Sequence, residues 1–180
     1  NKSLISANKQ GRHGLHLLLR HYAEIKLQER ADLEQETRLQ HSNYYAHLLL
    51  NTSPTDDDRM WQDADNIWAG WSYAVAQKQH RAIGGYAHGL WQHFELRKWH
   101  LVDASILNLY QDSIAIFEQL GEVENMPNTL RELYESLANF LYAAQRYTEA
   151  RIAYQTARSY GLQVDDRVMH ARLYRKIAST

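Results

Sequence analysis

The amino-acid sequence predicts an all-α fold of about eight antiparallel helices behind a short N-terminal β-hairpin. Three observations carry this expectation. The 180 residues include only two Pro and eight Gly, so long stretches are free to be helical. From Leu17 onward apolar residues recur with a period of 3.6. The breaks between periodic stretches span about three to six residues, the lengths that join antiparallel helical neighbours.

Each element has a local reason. Ser3–Ser6 and Arg12–His16 are short apolar-containing runs on either side of Ala7-Asn8-Lys9-Gln10-Gly11, where Asn and Gly suit a tight connection. Leu18, Leu19, Tyr22, Ile25 and Leu27 make one face of a first helix that runs to about Arg30. Asp32, with Gln35 and Glu36 behind it, is the expected N-cap of a second helix reaching about Leu50. Asn51 to Asp58, containing Pro54, reads as a loop whose carboxylates suit the positive end of the next helix. A third helix is expected over about 57–78, with Trp61, Trp68, Trp71, Tyr73 and Val75, and a fourth over about 81–96, with Tyr86, Leu90, Trp91 and Phe94. A fifth spans about 100–120 and stops at Gly121, and Pro127 opens a sixth, about 127–144. The seventh covers about 147–160, before Gly161, and the eighth about 165–178. Two domains follow, a hairpin over 1–16 and a helical domain over 17–180.

Composition excludes several classes. Lys and Arg number 20 against 21 Asp and Glu, a formal charge of −1, without the basic surplus of a nucleic-acid-binding domain. There is no Cys, which excludes a disulfide scaffold, a thiol nucleophile and thiolate-ligated metals. No apolar run approaches the ~20 residues of a membrane span, and without a basic n-region followed by an apolar h-region no secretory signal is expected. Because residue 1 is Asn, the chain is expected to be part of something longer, in a cytoplasmic setting.

Residues 131–164 carry a repeat signature. Tyr134, Leu137, Ala138, Leu141, Tyr147, Ala150, Tyr154 and Ala157 stand where a tetratricopeptide (TPR) repeat places its large and small packing residues, and Gln145 stands where that repeat usually has Gly. Helices four and five (86–121) resemble a degenerate, lengthened unit of the same kind, with Leu90, Phe94 and Leu107 in comparable places. The N-terminal half has a second resemblance. Leu15-His16, Leu18-Leu19-Arg20-His21-Tyr22-Ala23 and Lys26-Leu27 are followed by His41-Ser42-Asn43-Tyr44-Tyr45, then Asp63-Ala64-Asp65-Asn66-Ile67 with Ala69 and Ala74, then Leu90-Trp91, Phe94 and Leu96-Arg97. This order and spacing resemble the segment of bacterial STAND-class signalling ATPases, AfsR/LuxR-type transcriptional regulators among them, where a winged-helix domain passes into helical repeats. Lys98 and Val102-Asp103 depart from that pattern. The resemblance implies that the hairpin is the wing of a winged helix and that the rest is a TPR-like superhelix serving as a sensor or arm. The chain has no Gly-x-x-x-x-Gly-Lys-Ser/Thr loop, so any ATPase module lies upstream.

Chemical constellations are weak. Ten His include no i, i+4 metal pair: His16 and His21 are five apart, as are His88 and His93, while His41 and His47 are six apart. Asp56, Asp57, Asp58, Asp63 and Asp65 lack the central Gly and closing Glu of a calcium loop and suit helix capping. Asp65-Asn66 is read as a buried polar pair tying the third helix to a neighbour. No Gly-x-Ser-x-Gly elbow is present. The five Trp and 12 Tyr lack interleaved basic residues, which favours core packing over nucleic-acid stacking. One surface remains. In a TPR-like register His88, Gln92 and Glu95 of the fourth helix and Glu132, Glu135, Asn139 and Tyr142 of the sixth line a concave, acidic groove. The expected function is therefore a non-catalytic protein-interaction or sensor module without metal or cofactor. Its partner is a protein, either other domains of the same polypeptide or a separate chain, with a peptide or small molecule as a further ligand class. A free-standing TPR-like adaptor is the alternative, and an enzyme built from the His and carboxylates the least favoured. Reversing the charges of Glu132 and Glu135 is expected to weaken partner binding with little effect on stability.

Overall fold

The computed structural model describes residues 5–7, 13–52, 63–94, 104–119, 126–162 and 175–178. Among the described residues, seven helices follow two short strands, β1 (Ile5–Ala7) and β2 (His13–Leu15), which pair antiparallel with Ile5 opposite Leu15 and Ala7 opposite His13. The helices are α1 (Leu17–Gln28), α2 (Ala31–Asn51), α3 (Ala64–Ala76), α4 (His80–Phe94), α5 (Ala104–Gln119), α6 (Met126–Ala143) and α7 (Tyr147–Gly161). Residues 175–178 form a further helical turn. Among the described residues, no helix is long and apolar enough to cross a membrane. Trp61, Glu95 and the expected start of the third helix lie outside the described residues.

The chain divides into two compact units, Asn1–Gln40 and His41–Thr180, and the division falls within α2. The boundary expected after residue 16 lies inside the first unit. In that unit the His16 imidazole caps α1, its Nδ1 accepting from the Leu18 N–H at 3.3 Å. Leu18, Tyr22 and Ile25 of the expected apolar face stand exposed. Asp32 sits in the first turn of α2 rather than at its cap, where it still complements the helix dipole.

In the second unit, two helical hairpins close in the same way. At the end of α3 the Gln79 N–H donates to the Ala74 carbonyl at 2.8 Å and the Lys78 N–H to Val75 at 3.0 Å. At the end of α6 the Arg146 N–H donates to Leu141 at 2.9 Å and the Gln145 N–H to Tyr142 at 3.0 Å. Each is a Schellman ending, which needs a left-handed residue after the helix. Lys78 (φ 51°) and Gln145 (φ 60°) fill that place without being Gly. A side chain in this region costs about 1–2 kcal/mol, partly offset by the entropy that Gly would add to the unfolded chain. Gln145→Gly should therefore raise stability by about 0.5–1 kcal/mol, read as a higher denaturant midpoint with an unchanged slope.

Aromatic side chains from α3, α4, α5 and α6 build the centre. The Trp71 ring stacks on Tyr86 (6.1 Å between centroids, 13°) and meets the edge of Tyr110 (4.7 Å, 84°), and Tyr110 packs on Phe140 at 5.3 Å. The Trp71 indole N–H donates to Ser113 Oγ at 3.0 Å. Residues 42–51 of α2 lie close on α3 and α4. Ser42 Oγ donates to the Gly70 carbonyl, and the Tyr86 hydroxyl donates to the Ser42 carbonyl, both at 2.8 Å. Gly89 permits the approach of α4: a Cβ there would stand 2.5 Å from the Leu49 Cβ.

The α6–α7 hairpin is sealed by small residues. Ala138, Ala150 and Ala157 are completely buried, with Ala153 and Tyr154 nearly so. Since α6 packs on α4, α5 and α7, an unbroken run from Glu135 to Leu141 is buried on every side. That enclosure determines what its polar residues can do.

Candidate functional site

The charged residues of α6 are spaced so that Arg131 and Glu135 are one turn apart, with Glu132 beside them. On an open helix they would form an exposed ion pair. Here all three are enclosed, Glu132 at 6% and Glu135 at 0% exposure. A buried carboxylate persists as an anion only when cations and donors surround it. Arg131 supplies both, donating from Nη2 to Glu132 Oε1 at 2.9 Å and from Nη1 to Glu135 Oε2 at 3.3 Å. Its guanidinium also lies 5.0 Å from the centre of the Trp91 ring, a cation–π contact from α6 to α4. The Trp91 indole N–H donates to Glu135 Oε2 at 2.9 Å.

From α4, His88 Nδ1 lies 2.8 Å from Glu132 Oε1, and Gln92 lies one turn further along, its Nε2 2.7 Å from His88 Nε2. With Nδ1–H donating to the carboxylate, His88 Nε2 accepts from Gln92. Protonating Nε2 requires Gln92 to turn its amide and present oxygen. From α7, the Tyr154 hydroxyl donates to Asn139 Oδ1 at 2.6 Å. The helical turn 175–178 places Lys176 Nζ 3.2 Å from Glu135 Oε1 and 3.1 Å from Asn139 Oδ1.

Two carboxylates thus face two cations, Arg131 and Lys176, with His88 as a third when protonated. The hydrogen bond to Glu132 raises the His88 pKa above its ordinary 6.5, opposed by burial and by the neighbouring Arg131 charge. A raised folded-state value means that protonation stabilises the fold. That contribution is complete below about pH 6.5 and disappears as pH rises through the folded-state value. The His88 side chain is 40% exposed, so solvent screens the effect. Thermal melts from pH 5.5 to 8.5 should show stability falling with pH over this window, and His88→Gln should flatten that dependence.

Of the groove residues expected from the sequence, the structure brings together His88, Gln92, Glu132, Glu135 and Asn139. Glu95 lies outside the described residues, and Tyr142 stands at the end of α6, edge-on to Tyr147 at 5.3 Å. The groove is not a bare acidic stripe, because its carboxylates are enclosed and matched by cations. Reversing their charge would place cations beside buried Arg131, so stability cannot be left intact. Arg131, Trp91, Tyr154 and Lys176 complete the cluster without having been expected in it. The i, i+4 spacing of Arg131 and Glu135 was a usable signal for the first, whereas Tyr154 and Lys176 arrive from other elements.

Other expectations are corrected by position. Asp65 is exposed, and Asn66 donates to Asp63 Oδ1 at 3.3 Å within the start of α3 rather than to a neighbouring helix. Among the described residues, no group of three or more His, Asp or Glu is placed to hold a metal ion. Compared with protein-family models, curated proteins and solved structures, the chain matches none.

Proposed function

We propose that this chain is a non-catalytic protein-interaction and sensor module, a TPR-like helical region acting in the cytoplasm within a STAND-type regulator. The observation that supports it best is the pair of hairpins, α3–α4 and α6–α7, closed by the same left-handed turn and presenting the second helix of one and the first of the other to a shared polar cluster. Repeated hairpins with small residues in their seams stack into a surface that grips a partner. The resemblance of residues 15–97 to the winged-helix-to-repeat segment of such regulators supplies the setting, with β1 and β2 as the remnant of a wing. In this setting the module rests against another domain of the same polypeptide and is rearranged when a partner or ligand occupies its helical face. A separate adaptor that holds two other proteins together is the alternative.

Site-specific photo-crosslinking in the native cell tests this. A benzophenone amino acid at Gln92, beside the cluster, should give a discrete crosslinked product, and one at the exposed Arg151 of α7 should not. A product within the same polypeptide supports the regulator, and one to a separate chain supports the adaptor. Equal or absent crosslinking at the two positions removes the interaction face.

A further inference from the structure

Glu132 decides where the proton of His88 sits. Its ionised carboxylate can only accept, and its Oε1 takes hydrogen bonds from Arg131 Nη2 at 2.9 Å and from His88 Nδ1 at 2.8 Å. The proton of a neutral His88 is therefore on Nδ1, and Nε2 is left as an acceptor. Nε2 lies 2.7 Å from Gln92 Nε2, so the Gln92 amide donates into the ring. Gln92 is half-buried and the His88 side chain is 40% exposed, which puts the pair at the solvent edge of the cluster. Gln92 Oε1 makes no hydrogen bond among the described residues. It is the atom left for an incoming group.

Charging the ring changes which atom is left. Once Nε2 carries a proton it can only donate, and an NH2 group facing it would set donor against donor. A half-turn of the amide about its last bond removes the conflict by bringing Oε1 onto Nε2–H. The two amide N–H donors then face away from His88. The side chain keeps its volume and its place, and only its hydrogen-bonding sense is reversed. Among the described residues, the charged or titratable groups facing His88 are Glu132 and Arg131, both on α6. On its own helix the ring lies along Trp91, 6.0 Å between centroids, which does not titrate. The hydrogen bond to Glu132 raises the His88 pKa above 6.5, against burial and the Arg131 charge, so the reversal falls on the neutral side of that value.

We propose that His88 and Gln92 form a proton-driven switch in the polarity of the face between α4 and α6. With His88 neutral the face offers an acceptor, Gln92 Oε1. With His88 charged it offers the donors of the Gln92 amide. The charged face takes a carbonyl or carboxylate oxygen of a partner polypeptide, and the neutral face refuses it. By linkage, such a partner binds more tightly as pH falls and takes up a proton as it binds. This deepens the interaction reading and rests on it for the partner, whereas the switch itself is intramolecular and is tested without one.

The test is an NMR titration of the unsubstituted, 15N-labelled full chain between about pH 8.5 and about pH 5.5, a range that spans the ordinary histidine value. At the alkaline end His88 should be the Nδ1–H tautomer, with a scalar coupling between Gln92 Nε2 and His88 Nε2 across the N–H···N bond. At the acid end that coupling should vanish as Nε2 gains its proton, and the Gln92 amide protons should move to the shifts of the exposed Gln155. A neutral His88 protonated on Nε2, no coupling at the alkaline end, or Gln92 amide shifts that do not follow the His88 titration would each overturn the switch. Its failure with the Gln92 crosslink intact removes the switch alone. A Gln92 amide that follows His88 without a Gln92 crosslink upholds the switch and removes the partner-binding reading.

Discussion

Arg131→Met should lower the stability of this protein by about 3–5 kcal/mol, the cost of breaking a buried ion pair from one side. Arg131 is the cation common to Glu132 and Glu135, at 2.9 and 3.3 Å, and neither carboxylate has solvent to fall back on. Methionine fills much of the same volume against Trp91, so the loss isolates charge from packing. For a chain of this length the melting temperature should drop by roughly 10 °C. The triple variant Arg131→Met, Glu132→Gln, Glu135→Gln should recover most of the loss, because the effects of residues in one network are not additive. A triple variant as unstable as the sum of its parts would show that the three residues act separately.

Trp71→Ala should cost a comparable amount, about 3–5 kcal/mol, for a different reason. The ring is completely buried and joins three helices: it stacks on Tyr86 of α4, meets Tyr110 of α5 edge-on, and leaves Ser113 Oγ, also buried, without its donor when removed. Trp71→Phe keeps most of the apolar contact and loses the hydrogen bond, so it should cost about 1–3 kcal/mol, the penalty for a stranded buried polar group. Chemical denaturation of both variants separates packing from hydrogen bonding. Equal losses in the two would assign the whole effect to the indole N–H.

The helical fold was legible because its signals are local. The alanines at 138, 150 and 157 mark a seam between two helices by spacing alone and are buried in it, and Gln145 stands left-handed in the turn that joins them. The half of the cluster contributed by His88 and Gln92, and by Glu132, Glu135 and Asn139, was legible for the same reason, since residues one turn apart share a face. The electrostatic character of that face was not. It depends on whether α6 has an open side, and α4, α5 and α7 together close it. Lys176 reaches Glu135 and Asn139 across separations of 41 and 37 residues, and no periodicity reports a contact of that range. Asp65 and Asn66 fail in the opposite direction: a polar pair near the start of a helix finds its partner within the first turn, at Asp63. Tyr142 shares the stripe of Asn139, but the hairpin ends beneath it and it packs on Tyr147 instead.

Glu135, completely buried in α6, is neutralised in part from within the chain by Lys176. The most direct measurement is the NMR spectrum of the lysine ammonium groups at low temperature and neutral pH. Lys176, held over the Tyr154 ring between Glu135 and Asn139, should give a resonance that is protected from exchange, displaced by the ring current, and returned to the solvent position by Glu135→Gln. A Lys176 ammonium that exchanges and resonates like that of the exposed Lys78 would contradict the account.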